Sequence, residues 1–223
     1  MKSNFEVIVV DNFSNDGSER VLEEFRNHGK IRLIQAATTR GQARQIAFEN
    51  SKGDYVLAHF DLDDVFNPVF EEMICLYHEK AEGMMLKFNS TRNIGYWNGK
   101  FSCLIAPREL LKEIGGWPPT QFWEDYYIWY KANELGKYRW SKTDLIKYTF
   151  NIHKERRGIR GWNTYRLKEY SEAYRLGFRP TARTKSDTIL QKLAFLATLP
   201  HASRLGNFDS ENEAYYISPV QSR

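Results

Sequence analysis

Cysteine is scarce in this chain, with only Cys75 and Cys103 among 223 residues. Two cysteines without metal-type spacing exclude a disulfide framework and a thiolate zinc site. Reduced, structural thiols favour a cytoplasmic setting. No run of about 18 apolar residues exists, so no segment reads as a transmembrane helix. Met1-Lys2-Ser3-Asn4 opens no secretory pattern. There is no glycine-rich, basic triphosphate loop; Arg40-Gly41 is a poor substitute. Neither charge sign dominates: 32 Lys and Arg stand against 28 Asp and Glu, a net +4. That balance tolerates anionic substrates or a phospholipid surface. The basic residues form no recognised nucleic-acid module, so no nucleic acid is expected as a partner.

What is present is ordinary globular composition, 42% hydrophobic and 27% charged, with aromatics raised to 15%. The length suits one good core, or one domain with an appendage. The first part alternates in the βα manner. Glu6–Val10 reads as a strand ending at Asp11, and Ser18 to about His28 as a helix with Val21, Leu22 and Phe25 on one side. Ile31–Ile34 is the next strand, Gln42–Asn50 the next helix, and Tyr55–Phe60 a buried strand. Pro68 opens a helix carrying Val69, Phe70, Met73, Ile74 and Tyr77. Further strands are expected at Met84–Asn89, Phe101–Ala106 and Lys147–Phe150, and helices at Arg108–Ile114 and Trp123–Leu135. The alternation predicts a mixed, mostly parallel sheet with helices on both faces. From His153 the chain turns basic, with helices expected at Asn163–Leu176 and Thr188–Leu199. The division is therefore residues 1–153 and a basic, mostly helical extension, 154–223. The last helix reads as docked on the core, or as a basic amphipathic helix on a membrane surface.

Chemistry concentrates at strand ends. Phe60-Asp61-Leu62-Asp63-Asp64 packs three acids into four residues after an apolar strand. They repel one another unless they face solvent or hold a cation. Hard divalent ions take carboxylate oxygens together with substrate phosphates, and ligands of α/β sheets bind at the carboxyl ends of strands. The alternative is a polar turn capping the helix after Pro68. Asp11, at another strand end, is placed to accept from a base or ribose edge, or simply to close its own turn. Arg40 and Arg44 give two fixed positive charges at a helix start, suited to phosphate or to solvent. After Gly115-Gly116-Trp117-Pro118-Pro119, Glu124 and Asp125 sit near the start of an aromatic helix, where acids also complement the dipole. Trp117, Phe122 and Trp123 offer rings for a sugar to stack on, and a carboxylate there is able to deprotonate an acceptor hydroxyl.

Taken in order, these segments resemble glycosyltransferase family 2 of the GT-A fold. The residues are Val9-Val10-Asp11-Asn12-x-Ser14-x-Asp16-Gly17-Ser18, Arg40-Gly41-x-Ala43-Arg44, Gly53-Asp54-Tyr55, Asp61-x-Asp63-Asp64, Gly115-Gly116-Trp117 and Glu124-Asp125, within residues 5–153. The resemblance implies a GT-A (Rossmann-like) fold and transfer of a sugar, with inversion, from a nucleotide-diphosphate donor (UDP favoured) to an acceptor hydroxyl. It implies Asp11 on the nucleotide base, Asp61 by the ribose or sugar, and Asp63 on a Mn2+ or Mg2+ ion. Asp125, paired with Glu124, becomes the catalytic base, and His153 a second metal ligand. Acceptors of the implied kind are glycans, lipid-linked glycans or small molecules; the basic, partly amphipathic C-terminal region leans toward peripheral contact at the inner face of the membrane.

The sequence departs from the pattern at the front. Family members begin with a further strand, turn and helix before the segment matching Phe5–Asp11. Without that unit, neighbouring strand edges invite a partner strand or self-association. Two other functions compete: a non-catalytic sugar-nucleotide or glycan-binding subunit, and a nucleotidyltransferase.

Overall fold

The computed structural model describes residues 4–60, 64–90, 102–144, 146–149, 159–177 and 185–198. Strand β1 (Ile8–Asp11) is followed by helix α1 (Ser18–Asn27), β2 (Arg32–Gln35) and α2 (Arg40–Asn50). Next come β3 (Tyr55–Ala58), β4 (Asp64–Phe66), α3 (Phe70–Lys80), β5 (Met85–Ser90) and β6 (Ser102–Pro107). Then follow α4 (Arg108–Glu113), α5 (Glu124–Glu134), β7 (Tyr138–Thr143), β8 (Ile146–Thr149), α6 (Ile159–Arg175) and α7 (Lys185–Thr198). Local chemistry sets the starts of the early helices. Asp16 accepts the Ser18 amide at 3.1 Å, and Thr39 with Gln42 forms a full capping box at α2.

The central sheet has the order β3-β6-β5-β7. Side-chain alternation along its strands builds two core layers. Leu104 and Ala106 of β6 and Met85 of β5 face Phe48 of α2, Leu110 and Leu111 of α4, and Ile128, Trp129 and Ala132 of α5. Cys103 and Ile105 of β6, with Leu86 and Phe88 of β5, face Met73, Leu76 and Tyr77 of α3. Helices therefore cover both faces, as the alternating pattern predicts. Full burial of each such aliphatic or aromatic side chain is worth about 1.5–3 kcal/mol before chain entropy is counted.

The sheet is mixed, but its balance differs from the expectation. The β1/β2 and β5/β7 ladders are parallel; β3/β6, β5/β6 and β4/β8 are antiparallel. Two strands were not expected. β4 is three residues long and begins inside the acid cluster, and β7 carries Arg139 and Lys142 in an otherwise alternating stretch.

Among the described residues, β1 pairs only with β2, and β3 only with β6. Each leaves an open edge, and Val7, Tyr55 and Leu57 are exposed there.

In the C-terminal region α6 and α7 pack together through Tyr170, Tyr174 and Ala194. Ile189, Leu193 and Leu196 of α7 stay exposed. No helix among the described residues is long and apolar enough to cross a membrane.

Candidate active site

Asp11 ends β1 and is 95% buried, being 5% exposed. Its carboxylate accepts the Ser14 hydroxyl at 2.6 Å and the Ser14 amide at 3.2 Å, and Gln35 reaches it at 3.4 Å. The following Asn12 accepts the Thr38 amide at 3.1 Å, which ties this turn to the loop before α2. The carboxylate thus closes its own turn at the carboxyl end of β1.

The start of α2 is pressed against the loop before α5. Gly41 donates its amide to the Thr120 carbonyl at 2.9 Å, and Arg40 donates its amide to Gln121 Oε1 at 3.3 Å. A Cβ on Gly41 would stand 1.9 Å from the Pro118 carbonyl oxygen, so this approach requires glycine. Across the same contact Arg44 pairs with the buried Glu124, and Arg40 lies 3.7 Å from it. The arginines read as phosphate ligands are therefore also partners of the acid beside Asp125.

Burial first, and then the charge of Asp125, push the Glu124 carboxyl up to about 7, against the opposing pull of Arg44 and Arg40. Glu124 is 1% exposed, and its Oε2 has no hydrogen-bond partner, so desolvation outweighs the ion pair here. Folded Glu124 holds a proton that the unfolded chain has already released above pH 4.5. Its contribution to stability therefore falls as pH rises from about 4.5 to 7. We expect Glu124→Gln to remove this downward slope, about 3 kcal/mol over the window. Urea unfolding of both proteins across that range measures it; identical slopes would show that Glu124 titrates normally.

Asp125 follows in the first turn of α5, half-buried, with Oδ1 accepting the Tyr126 amide at 2.7 Å. Trp123, also half-buried, sits at the helix N-cap in left-handed conformation, φ 66°. Trp117 behaves differently from the expectation of a sugar-stacking ring. It is 4% exposed, packs edge-on to Phe48 and belongs to the core. Its indole N–H donates to His59 Nε2 at 2.9 Å, and its amide donates to Gln45 Oε1 at 2.9 Å. Packing inside the turn buries it, which leaves Trp123 as the accessible tryptophan of the pair.

His59 and Lys87 were not singled out in the sequence. His59, at the end of the β3 run, is buried between Trp117 and Trp129 and is held well below its ordinary pKa, by burial first and then by Arg44, Lys87 and Arg40. The indole donor fixes the proton of the neutral ring on Nδ1. Lys87 of β5 is buried with its Nζ 4.0 Å from the centre of the Trp129 ring. A histidine directly before Phe60-Asp61 was the signal available for the first; nothing local marks the second. Among the described residues, the non-glycine positions with positive φ are Phe13, His59 and Trp123. One follows β1, one follows β3 and one precedes α5, each carrying backbone strain of about 1–3 kcal/mol.

The family model described as Glycosyl transferase family 2 matches residues 1–113, just over half of the chain. The chain belongs to glycosyltransferase family 2. Among solved structures, it is similar to the mannosyltransferase PcManGT from Pyrobaculum calidifontis, in complex with GDP-Man and Mn2+. The TM-score is 0.53 at 19% identity, over 88% of this chain and 63% of that one. It is also similar to S. aureus TarS 1–349 in complex with UDP, at TM-score 0.48 and 17% identity, over 93% of this chain and 64% of that one. The chain thus spans under two thirds of the length of these structures. The likeness to PcManGT shows the GT-A fold. No curated protein matches the chain.

Of the expected site residues in this family 2 chain, the structure brings Arg40, Arg44, Glu124 and Asp125 together, with Trp123 beside them. Asp11 stands on its own at β1. Asp61, Asp63 and His153 lie outside the described residues. Their flanks are informative: β4 and β8 pair antiparallel with Asp64 opposite Thr149. The entry to β4 and the exit from β8 are therefore side by side.

Proposed function

We propose that this chain transfers a sugar from a nucleoside-diphosphate donor to an acceptor hydroxyl with inversion. The observation that carries the proposal is the Glu124-Asp125 pair, held at the N-terminus of α5 against the two arginines that open α2. Asp125 takes the proton of the acceptor hydroxyl as that oxygen attacks the anomeric carbon and the diphosphate leaves. Glu124, whose carboxyl burial pushes up to about 7, carries less than a full negative charge beside the base near neutral pH. Arg40 and Arg44 face the diphosphate with fixed charges, and their link to Glu124 orients them before the donor arrives. Asp11 holds the base end of the nucleotide and Asp61 the ribose or sugar, while Trp123 lies under the sugar. Asp63 and His153 would hold a divalent cation, which when bound neutralises charge on the diphosphate.

The family pattern favours a UDP donor. The solved neighbour with GDP-Man makes GDP the second base to try. Direct displacement predicts nucleoside diphosphate release and an inverted anomeric centre, with no covalent sugar adduct. Product analysis by NMR after turnover checks all three. Pyrophosphate release would point to nucleotidyl transfer, and a retained anomeric configuration would overturn the one-step mechanism.

A further inference from the structure

The loop that delivers Asp125 is held from outside the catalytic half of the chain. Three consecutive residues, Gln121 to Trp123, are each gripped by α6. Glu172 Oε2 accepts the backbone amide of Gln121 at 2.9 Å and that of Phe122 at 2.8 Å. The Phe122 ring stands edge-on to Tyr165, centroids 4.6 Å apart. Trp123 donates its indole N–H to the Glu169 carbonyl at 3.0 Å. Helix α5 makes no side-chain cap bond of its own, and its N-cap residue is a strained tryptophan. Two successive amides converging on one carboxylate oxygen form an anion-binding concavity, filled here by a side chain from another element. Within α6, the buried Arg166–Glu169 pair at 2.7 Å ties one turn to the next, beside the Glu169 carbonyl that Trp123 reaches.

From the other side, α2 holds the same loop through Gly41 and Arg40. The turn before Asp125 is thus clamped between α2 and α6.

We infer that Glu172 is a positioning residue for Asp125, which makes α6 of the C-terminal extension part of the active site. The inference rests on the reading of Asp125 as the base. A carboxylate that merely docked α6 would need only to touch the loop. Glu172 instead bonds the two amides immediately before the left-handed turn, where a small rotation moves Glu124 and Asp125 together. Misplacement of a reacting group by about 1 Å is able to cost roughly 10²-fold in rate.

The test uses the full chain with Glu172→Ala and Glu172→Gln; the amide oxygen of the second retains an acceptor. Two readouts are needed: kcat and KM for the donor, and the Glu124 carboxyl titration followed by 13C NMR. With Glu172→Ala, kcat should fall about tenfold or more while the donor KM stays within about twofold. The Glu124 midpoint should drop from near 7 toward the ordinary carboxylate range as water reaches the loosened turn. With Glu172→Gln both values should return most of the way.

A Glu172→Ala protein that melts lower but keeps its kcat and its Glu124 titration would overturn the inference, leaving Glu172 a docking contact. If the wild type transfers no sugar from any donor, the glycosyltransferase reading fails. The Glu124 titration then decides the positioning alone, and an unmoved midpoint in Glu172→Ala overturns it. Should Glu172→Ala fail to fold, Glu172→Asp, whose shorter carboxylate is withdrawn from the Gln121 and Phe122 amides, takes its place with the same two readouts.

Discussion

Asp125→Asn should lower sugar transfer by about 10²–10⁴-fold, the usual span for loss of a general base. Nucleotide binding should stay within about twofold. Asparagine keeps the shape of aspartate, and its Oδ1 is still able to accept the Tyr126 amide that Asp125 accepts at 2.7 Å. The fold at the start of α5 is thus preserved while the proton acceptor is removed. Glu124 cannot substitute, because it is 1% exposed and paired with Arg44. The measurement is kcat and KM with a competent donor, beside nucleotide affinity. An asparagine variant with wild-type turnover would remove Asp125 from the mechanism.

Gly41→Ala should be the most damaging single-methyl addition near the site. The new Cβ would lie 1.9 Å from the Pro118 carbonyl oxygen and 3.1 Å from that of Thr120. Both are backbone atoms, so no side-chain rotation relieves the clash and the loop before α5 must move away. Overpacking of this kind costs about 1–3 kcal/mol, occasionally more, and here it also breaks the Gly41–Thr120 hydrogen bond. Because Arg44 and Glu124 meet across this contact, transfer should fall along with the melting temperature. Thermal unfolding and kcat on the same preparation check both. A variant that melts and turns over like the wild type would show that α2 and the loop do not meet this closely.

Much of the fold was legible because its elements obey local rules. The turn formers before Ser18 and the apolar positions of α3 act within a few residues, whereas the Thr39–Gln42 capping box was not read and α2 starts at Arg40, two residues before the expected Gln42. β4 escaped because three residues carry no period, and its first, Asp64, belongs to a cluster that reads as a turn. β7 escaped because its polar positions interrupt the apolar run, although Tyr138 and Trp140 alternate as a strand requires. Glu124, Asp125, Arg40 and Arg44 were legible as short motifs, but their pairing was not. It joins positions 80 apart in the chain, where only the docking of α2 on the loop brings them together. Lys87 and Glu172 were invisible for the same reason, each acquiring meaning from a partner chosen by tertiary packing, and His59 carried only its place before Phe60-Asp61 as a signal. Trp117 shows the converse, since a tryptophan in a glycine- and proline-rich turn looks available for stacking until packing buries it.

The measurement that tests the account most directly is thermal unfolding with UDP or GDP, with and without Mn2+, for the wild type and Asp63→Ala. A ligand that binds only the folded protein raises its melting temperature by mass action. The account predicts a rise with one of the two nucleotides that requires Mn2+ and disappears in Asp63→Ala. No rise with any combination in a well-folded sample, or a rise indifferent to both Mn2+ and Asp63, would contradict it.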